Sequence, residues 1–547
     1  MTKQKKITLF TVIFLVIACI CLTPKTLQND TFYLIKIGED ILARGLDFKD
    51  HFTYVADLSY TYPHFLYNIF LALVYRIAGF TGVYISTIFF YIVFALSLFY
   101  ILKKLATTSP LPPKTPKLTV QALNLLPSLL TFFSVILLPS SIAARSQVIT
   151  YSIFIWEIYF LISLIKTGYK KYIFLLVLSS WLVASLHALT WPLFFIFYLP
   201  FFAEIIISKI LKRTDLYKNK SRLKSLSSKL CLLSEAETKS LKPLFQSFIG
   251  SLLIGLLTPA QTCYSGFVKI ALGNSQSYIA EHQPTILINN PNLLIFLLIF
   301  ILILIFTKTK LRLDSFFLIS GLFVLSFLSI RHTSLLITVG IIPLFFLLKN
   351  LFLLANDQFF EPIRLFFPTR FIVFTIFTLL LINFLSILKT PFLSPTYCPI
   401  SATTFIKEKF AEKIAENNFR LFNEYNIGAY LLFEDVPVFI DSRANIYTKP
   451  FSKNLSRDLF DDYMEIIDAS SAPVLPPKDS SNSPEELSYE KLIEYYNLEY
   501  FLLYKTSALA KVLEKDPAYE KLYSDPELDK DDPKENFVIY HKLPAST

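Results

Sequence analysis

A chain of 547 residues with 54% hydrophobic content, 54 Phe, 30 Tyr and only 17% charged residues is too apolar for a cytosolic enzyme, a disordered chain or a disulfide scaffold. Its formal charge of +10 is unevenly divided: 35 Lys+Arg face 15 Asp+Glu before Pro391 (net +20), and 17 face 27 from Phe392 onward (net −10). A basic excess in an apolar chain marks loops against an anionic leaflet, so nucleic-acid binding is excluded as its cause.

The chain opens with Met1 to Lys6, basic, and an apolar run from Ile7 to Cys21. This has the charge order of a signal peptide, but Thr23-Pro24-Lys25 offers no small-residue cleavage site, so the run predicts an uncleaved first membrane helix. A long loop, 24–82, follows. Within it His64 to Phe80 is long enough to cross a bilayer, yet His64, Asn68 and Arg76 are spaced by multiples of four and line one helical face. That pattern predicts a helix at 64–80 lying in the membrane interface. Apolar windows long enough to span, at about 20 residues each, then lie near 83–102, 123–139, 148–165, 173–188, 190–208, 244–258, 293–307, 315–330, 334–354 and 371–388. With 7–23 they make eleven.

Basic residues set the orientation. With eleven spans and the N-terminus in the cytoplasm, inner segments hold 26 of the 35 Lys+Arg before Pro391, and outer segments hold nine. Counting 64–80 as a twelfth span would place Lys103, Lys104, Lys114, Lys117 and the ten basic residues from Lys209 to Lys242 outside. An odd count puts the C-terminal region outside. The loop 209–243 is then a cytoplasmic topology anchor facing anionic head groups. Beyond Phe392, a helix near 402–417, strands near 429–433 and 436–440, a helix near 484–496, a strand at 500–504, a helix at 507–515 and a strand at 537–541 predict a small α/β domain. The chain reads as a polytopic α-helical membrane protein of the plasma (inner) membrane: a transmembrane domain, 1–391, and an extracytoplasmic α/β domain, 392–547.

Candidate chemistry concentrates on the outer side. Loop 24–82 carries Asp30, Glu39, Asp40, Asp47, Asp50 and Asp57, six of the fifteen carboxylates in the membrane part. Asp30 lies close to the membrane exit, where a carboxylate suits general-base work on an acceptor hydroxyl, or simple solvation. None of the six His is assigned to the cytoplasm. His51 and His64 fall in the loop, His187 and His332 at outer helix ends, His282 in the loop 259–292 and His541 in the C-terminal domain. Arg145 and Arg331 join them. Isolated cations and imidazoles beside an acidic loop suit an anionic, lipid-linked substrate, and each also suits an interfacial capping role. Glu157, deep in its helix, is either functional or protonated and bonded to a neighbouring Ser or Tyr. Cys263 and Cys398 share the outer side, with pairing left open. Carboxylates of the first loop could hold a divalent cation, though no spacing among them is diagnostic. There is no Walker loop, GxGxxG, HExxH or nucleophile elbow.

Two stretches carry a resemblance. One is Asp30-Thr-Phe-Tyr-Leu-Ile-Lys-Ile-Gly38 through Gly45 to Asp50-His51-Phe-Thr-Tyr54; the other is Tyr425-Asn-Ile-Gly428-Ala-Tyr430-Leu with Pro437-Val-Phe-Ile-Asp441-Ser-Arg443. In these and in its layout the chain resembles bacterial membrane glycosyltransferases of the GT-C fold, akin to protein O-mannosyltransferases and aminoarabinose transferases. The resemblance implies sugar transfer from a polyprenyl-phosphate donor to an acceptor outside the membrane, with Asp30 as base. The substrate-binding candidates beside it are Asp50, His51, Arg145, His187, His282, Arg331 and His332. The chain departs from relatives in having Asn29-Asp30 where many pair two acidic residues, and Tyr60-Thr-Tyr62-Pro where many keep Trp. Two other classes stay open: a transporter or flippase of lipid-linked saccharides, and a non-catalytic scaffold.

Overall fold

The computed structural model describes residues 3–55, 58–107, 115–213, 230–231, 241–259, 264, 279–306, 309, 311–354, 369–449, 451–452, 455–469, 487–526 and 537–544. Two compact units divide the chain. The first gathers the apolar helices of Met1–Lys25, Tyr84–Cys263 and Ile279–Thr390. The second combines Thr26–Val83 with Pro391–Thr547, so the long loop after the first helix belongs with the C-terminal region.

In the first unit each of the eleven predicted windows carries an apolar helix. Five of them, Lys5–Leu22, Phe65–Thr107, Lys117–Leu137, Gln147–Thr167 and Ala188–Ile210, are long and apolar enough to cross a membrane. A sixth counts if Ile330–Val339 and Ile341–Leu354, bent by 44°, form one span. The bend falls at Gly340, with Pro343 three residues on and no N–H to return to the preceding turn. Leu241–Leu257, Pro291–Ile305, Leu313–Leu328 and Phe374–Lys389 are apolar but shorter. Length therefore supports five or six of the eleven crossings. Between helices, Ser134 donates to the Ile337 carbonyl (2.9 Å), Ser180 to that of Ser251 (2.8 Å) and Asn383 to that of Cys21 (2.6 Å). In a lipid-facing bundle such bonds replace the hydrophobic effect as the cement between helices.

The helix Phe65–Thr107 has 43 residues, about 65 Å if straight, twice what a bilayer requires. It is broken at Ala78 and Gly79, where Gly79 adopts φ 57° and ψ −152°, a conformation reserved for glycine. The break separates the segment read as interfacial from the next span. Of the polar residues expected to line one face, His64 and Asn68 are buried and Arg76 is exposed.

The second unit contains an element that sequence patterning missed, the helix Asn29–Arg44, with Thr31, Phe32, Leu34, Ile35, Gly38 and Ile41 buried at helical spacing. Its carboxylates had suggested a solvated loop. It packs on the helix Tyr425–Phe433, where the Phe32 ring meets Tyr430 edge-on at 5.4 Å and Phe433 at 5.6 Å. Against the first turns of Phe65–Thr107 it passes so closely that a Cβ on Gly38 would lie 2.0 Å from the Asn68 carbonyl oxygen. A mixed sheet orders its strands Leu421–Asn423, Tyr500–Tyr504, Phe537–Lys542, Tyr519–Ser524, the first pair parallel and the others antiparallel.

The strand expected at 429–433 is instead the helix Tyr425–Phe433. A short apolar run does not declare its period, and Gly428 brings that helix against the Ile440 backbone, 2.1 Å from where its Cβ would be. Segment 436–440 makes a single bridge, Val438 to Thr53, rather than a ladder; Pro437 has no N–H to extend one. The expected helix 402–417 is two helices, Ile400–Lys409 and Ala411–Ala415. Expectations at 500–504, 507–515 and 537–541 meet Tyr500–Tyr504, Ala508–Leu513 and Phe537–Lys542. Cys398 is buried as a free thiol, and Cys263 lies outside the described residues.

Candidate functional site

In the first unit, three turns converge at one end of the helix Gln147–Thr167. The segment around Glu281–Thr285 is strapped to the turn that ends Leu313–Leu328: Ser329 Oγ donates to the Glu281 carbonyl (2.9 Å), Ile330 N–H to that of Gln283 (3.1 Å), and Thr285 N–H to that of Phe327 (3.0 Å). The strap sets His282 beside Arg331 and His332. Arg145, just before the helix, reaches Glu281 across 3.5 Å. Ser334 accepts a 2.5 Å hydrogen bond from Tyr151 on the same helix and donates to the Arg331 carbonyl (2.9 Å). Four predicted residues, Arg145, His282, Arg331 and His332, thus share one patch. Glu281 was missed, although it directly precedes a flagged histidine.

The patch holds two guanidiniums, those of Arg145 and Arg331, and one carboxylate, that of Glu281. Arg331 has no carboxylate within ion-pair distance among the described residues. Burial, reinforced by the Arg331 guanidinium, pushes the His282 imidazole down to about 4, so it is neutral at pH 7 and offers an N–H without charge. His332 holds its Nδ1 3.3 Å from the Leu325 carbonyl, leaving Nε2 for another partner. His187, at the C-terminal end of the helix Lys170–Leu186, is buried with its Nδ1 3.4 Å from Thr150 Oγ1 on Gln147–Thr167. Deeper, Glu157 is fully buried, and among the described residues neither carboxyl oxygen is hydrogen-bonded to the Ser or Tyr partner expected for it.

In the second unit, Asp30 sits in the first turn of Asn29–Arg44, partly exposed, beside an Asn29 whose side-chain oxygen is buried without a partner. A carboxylate there is favoured by the unpaired N–H groups and dipole of the helix start. His51 Nε2 lies 2.6 Å from Asp47 Oδ2. Burial raises the Asp47 carboxyl, but bonds from the Lys49 N–H, His51 and Tyr62 outweigh it and bring it down to about 2.

Asp50 is taken up by the fold. Its side chain is fully buried, and Arg443 Nη1 donates to its Oδ1 at 2.5 Å. The same guanidinium donates through Nη2 and Nε to Asp441 at 2.5 and 2.9 Å, and Tyr447 OH donates to Asp441 at 2.6 Å. Phe52 and Tyr60 each place a ring 5.3 Å from the guanidinium carbon. The two motifs that carried the resemblance, Asp50-His-Phe-Thr-Tyr and Pro-Val-Phe-Ile-Asp441-Ser-Arg443, are therefore the halves of one buried ion network. Among the described residues no three His, Cys, Asp or Glu side chains come together as a metal site.

The fold these elements define is the GT-C fold. Solved structures of an Archaeoglobus fulgidus oligosaccharyltransferase align with most of the chain. AglB in complex with an inhibitory peptide and a dolichol-phosphate covers 92% of this chain and 70% of its own, at TM-score 0.52 and 11% identity. The apo form covers 90% and 69%, at 0.54 and 11% identity. The enzyme tethered to an acceptor peptide containing the NVT sequon covers 90% and 68%, at 0.50 and 10% identity. At these identities the likeness establishes the fold. No protein-family model matches the chain, and no curated protein matches it.

Proposed function

We propose that this membrane protein transfers a sugar from a polyprenyl-phosphate donor to an acceptor outside the membrane. The observation that carries the reading is the patch of Arg145, Arg331, His282 and His332. Two guanidiniums, one without a carboxylate partner among the described residues, and imidazoles available as neutral donors suit a phosphate group. The solved structure with dolichol-phosphate and a peptide supports a lipid-phosphate donor and a peptide acceptor. The acceptor's nucleophile loses its proton to Asp30 and forms a bond to the anomeric carbon. The bond from that carbon to the phosphate oxygen breaks, and polyprenyl phosphate leaves with the electron pair, its charge met by Arg331. The N-terminus is cytoplasmic and the second unit extracytoplasmic in this reading.

The two roles separate experimentally. Asp30→Asn lowers transfer of labelled sugar to peptide by about 100-fold or more while polyprenyl-phosphate binding persists. Arg331→Ala weakens that binding about 10- to 100-fold, read by native mass spectrometry. Full transfer activity in both variants would sink the proposal.

A further inference from the structure

The second unit carries a cleft of its own. Two cavities of about 460 and 340 Å³ share a partition of Tyr54 and Arg420, the guanidinium lying 5.1 Å over the phenol ring. Three helix ends open onto them. Asn417 and Asp435 line the first cavity and Asn497 the second, all with positive φ (55°, 61° and 51°), each just past the last turn of a helix. The last carbonyls of these helices already accept capping N–H groups, as from Asn418, Val436 and Leu498, and each keeps one lone pair for a hydroxyl group.

Charge at the cleft is compensated at three of its four Arg, Asp and His lining residues, Arg420 being the fourth. Arg457 is bidentate on Asp462 (2.8 Å twice), Asp435 pairs with Lys36 (2.7 Å), and His51 with Asp47. Arg420 donates to the Asn417 carbonyl (3.1 Å), capping a helix C-terminus and retaining further N–H donors. Arg420 has no carboxylate at ion-pair distance among the described residues, so it leaves one positive charge open at the partition. Aromatic faces do stand open: Tyr495 is 50% exposed, fixed edge-on against Tyr496 at 4.9 Å, with its hydroxyl 3.0 Å from Ser456 Oγ. Flat rings bordered by amides, a guanidinium and carbonyls match a molecule with apolar C–H faces and a rim of hydroxyls.

We infer that this cleft binds an oligosaccharide, with one sugar on each side of the Tyr54–Arg420 partition. Binding needs no donor and no turnover, so its failure is distinct from failure of the transferase reading. The test uses the full-length protein in lipid nanodiscs free of glycoside detergent. Saturation-transfer NMR and calorimetry are run with maltotetraose, chitotetraose and mannotetraose, and with tetragalacturonate and hexaglutamate as charged probes. At least one neutral tetrasaccharide binds. Asn417→Gly with Asn497→Gly, which keeps the positive-φ backbone and the thermal midpoint, weakens it about tenfold or more; Tyr495→Ala does likewise. The inference is overturned if no neutral probe binds, if hexaglutamate binds as tightly as the best oligosaccharide, or if these variants bind like the parent.

Discussion

Asp50 and Arg443 are joined as a satisfied ion network, and its worth shows when it is broken. Removing one partner of a buried pair typically costs about 3–5 kcal/mol, because the remaining charge is stranded. Arg443→Ala, which strands Asp50 and Asp441 together, is expected at that level, read as loss of thermal midpoint in the detergent-solubilised protein. A change equivalent to less than about 1 kcal/mol would show the network to be dispensable. Glu424 sits in the same unit, its carboxyl raised to about 7 by burial, against weaker opposition from the Tyr504 N–H and the Ser507 side chain. Its folded value exceeds the unfolded value of about 4.3, so its contribution to stability is full below that pH and is lost as pH rises through about 7. Glu424→Gln removes the ionisation. The variant's midpoint should therefore gain on the parent's between pH 5 and pH 8, and parallel profiles would refute the assignment.

At the scale of elements, the close approach at Gly38 gives a sharp prediction. A Cβ there would stand 2.0 Å from backbone that cannot swing aside, so Gly38→Ala forces the helix Asn29–Arg44 off its seat, at a cost of about 1–3 kcal/mol despite better helix propensity. A melting point equal to the parent's would contradict the packing. Sequence showed the apolar helices because long runs need no partner to be recognised, and it showed Tyr500–Tyr504 and Phe537–Lys542 because β-branched and aromatic residues crowd there. It hid Asn29–Arg44 behind its carboxylates. It also misread Tyr425–Phe433, whose conformation is decided by what Gly428 lies against. The patch in the first unit was legible as single residues, Arg145, His282, Arg331 and His332. Their strap of backbone hydrogen bonds was not, since carbonyl partners leave no trace in residue type. Asp50 looked like a binding residue because a buried carboxylate and a substrate-facing one are spelled alike.

For the whole molecule, the division of charge remains the strongest guide to topology. In sealed vesicles of cytoplasm-inside orientation, protease added outside should cut the second unit and spare the lysine- and arginine-rich segment between Lys209 and Lys242. Cleavage of that segment from outside would reverse the orientation proposed for the chain.

The ion pair of Asp50 with Arg443 also ties together residues 393 positions apart. During synthesis, Thr26–Val83 leaves the ribosome first, and the helix Tyr425–Phe433 that covers Phe32 arrives only after the whole apolar bundle has been made. Its folding is thus a late event, slowed by a large loop closure. In the interval the Phe32 face and the Asp50 carboxylate wait without partners, which makes Thr26–Val83 a segment of the nascent chain that a chaperone would shield.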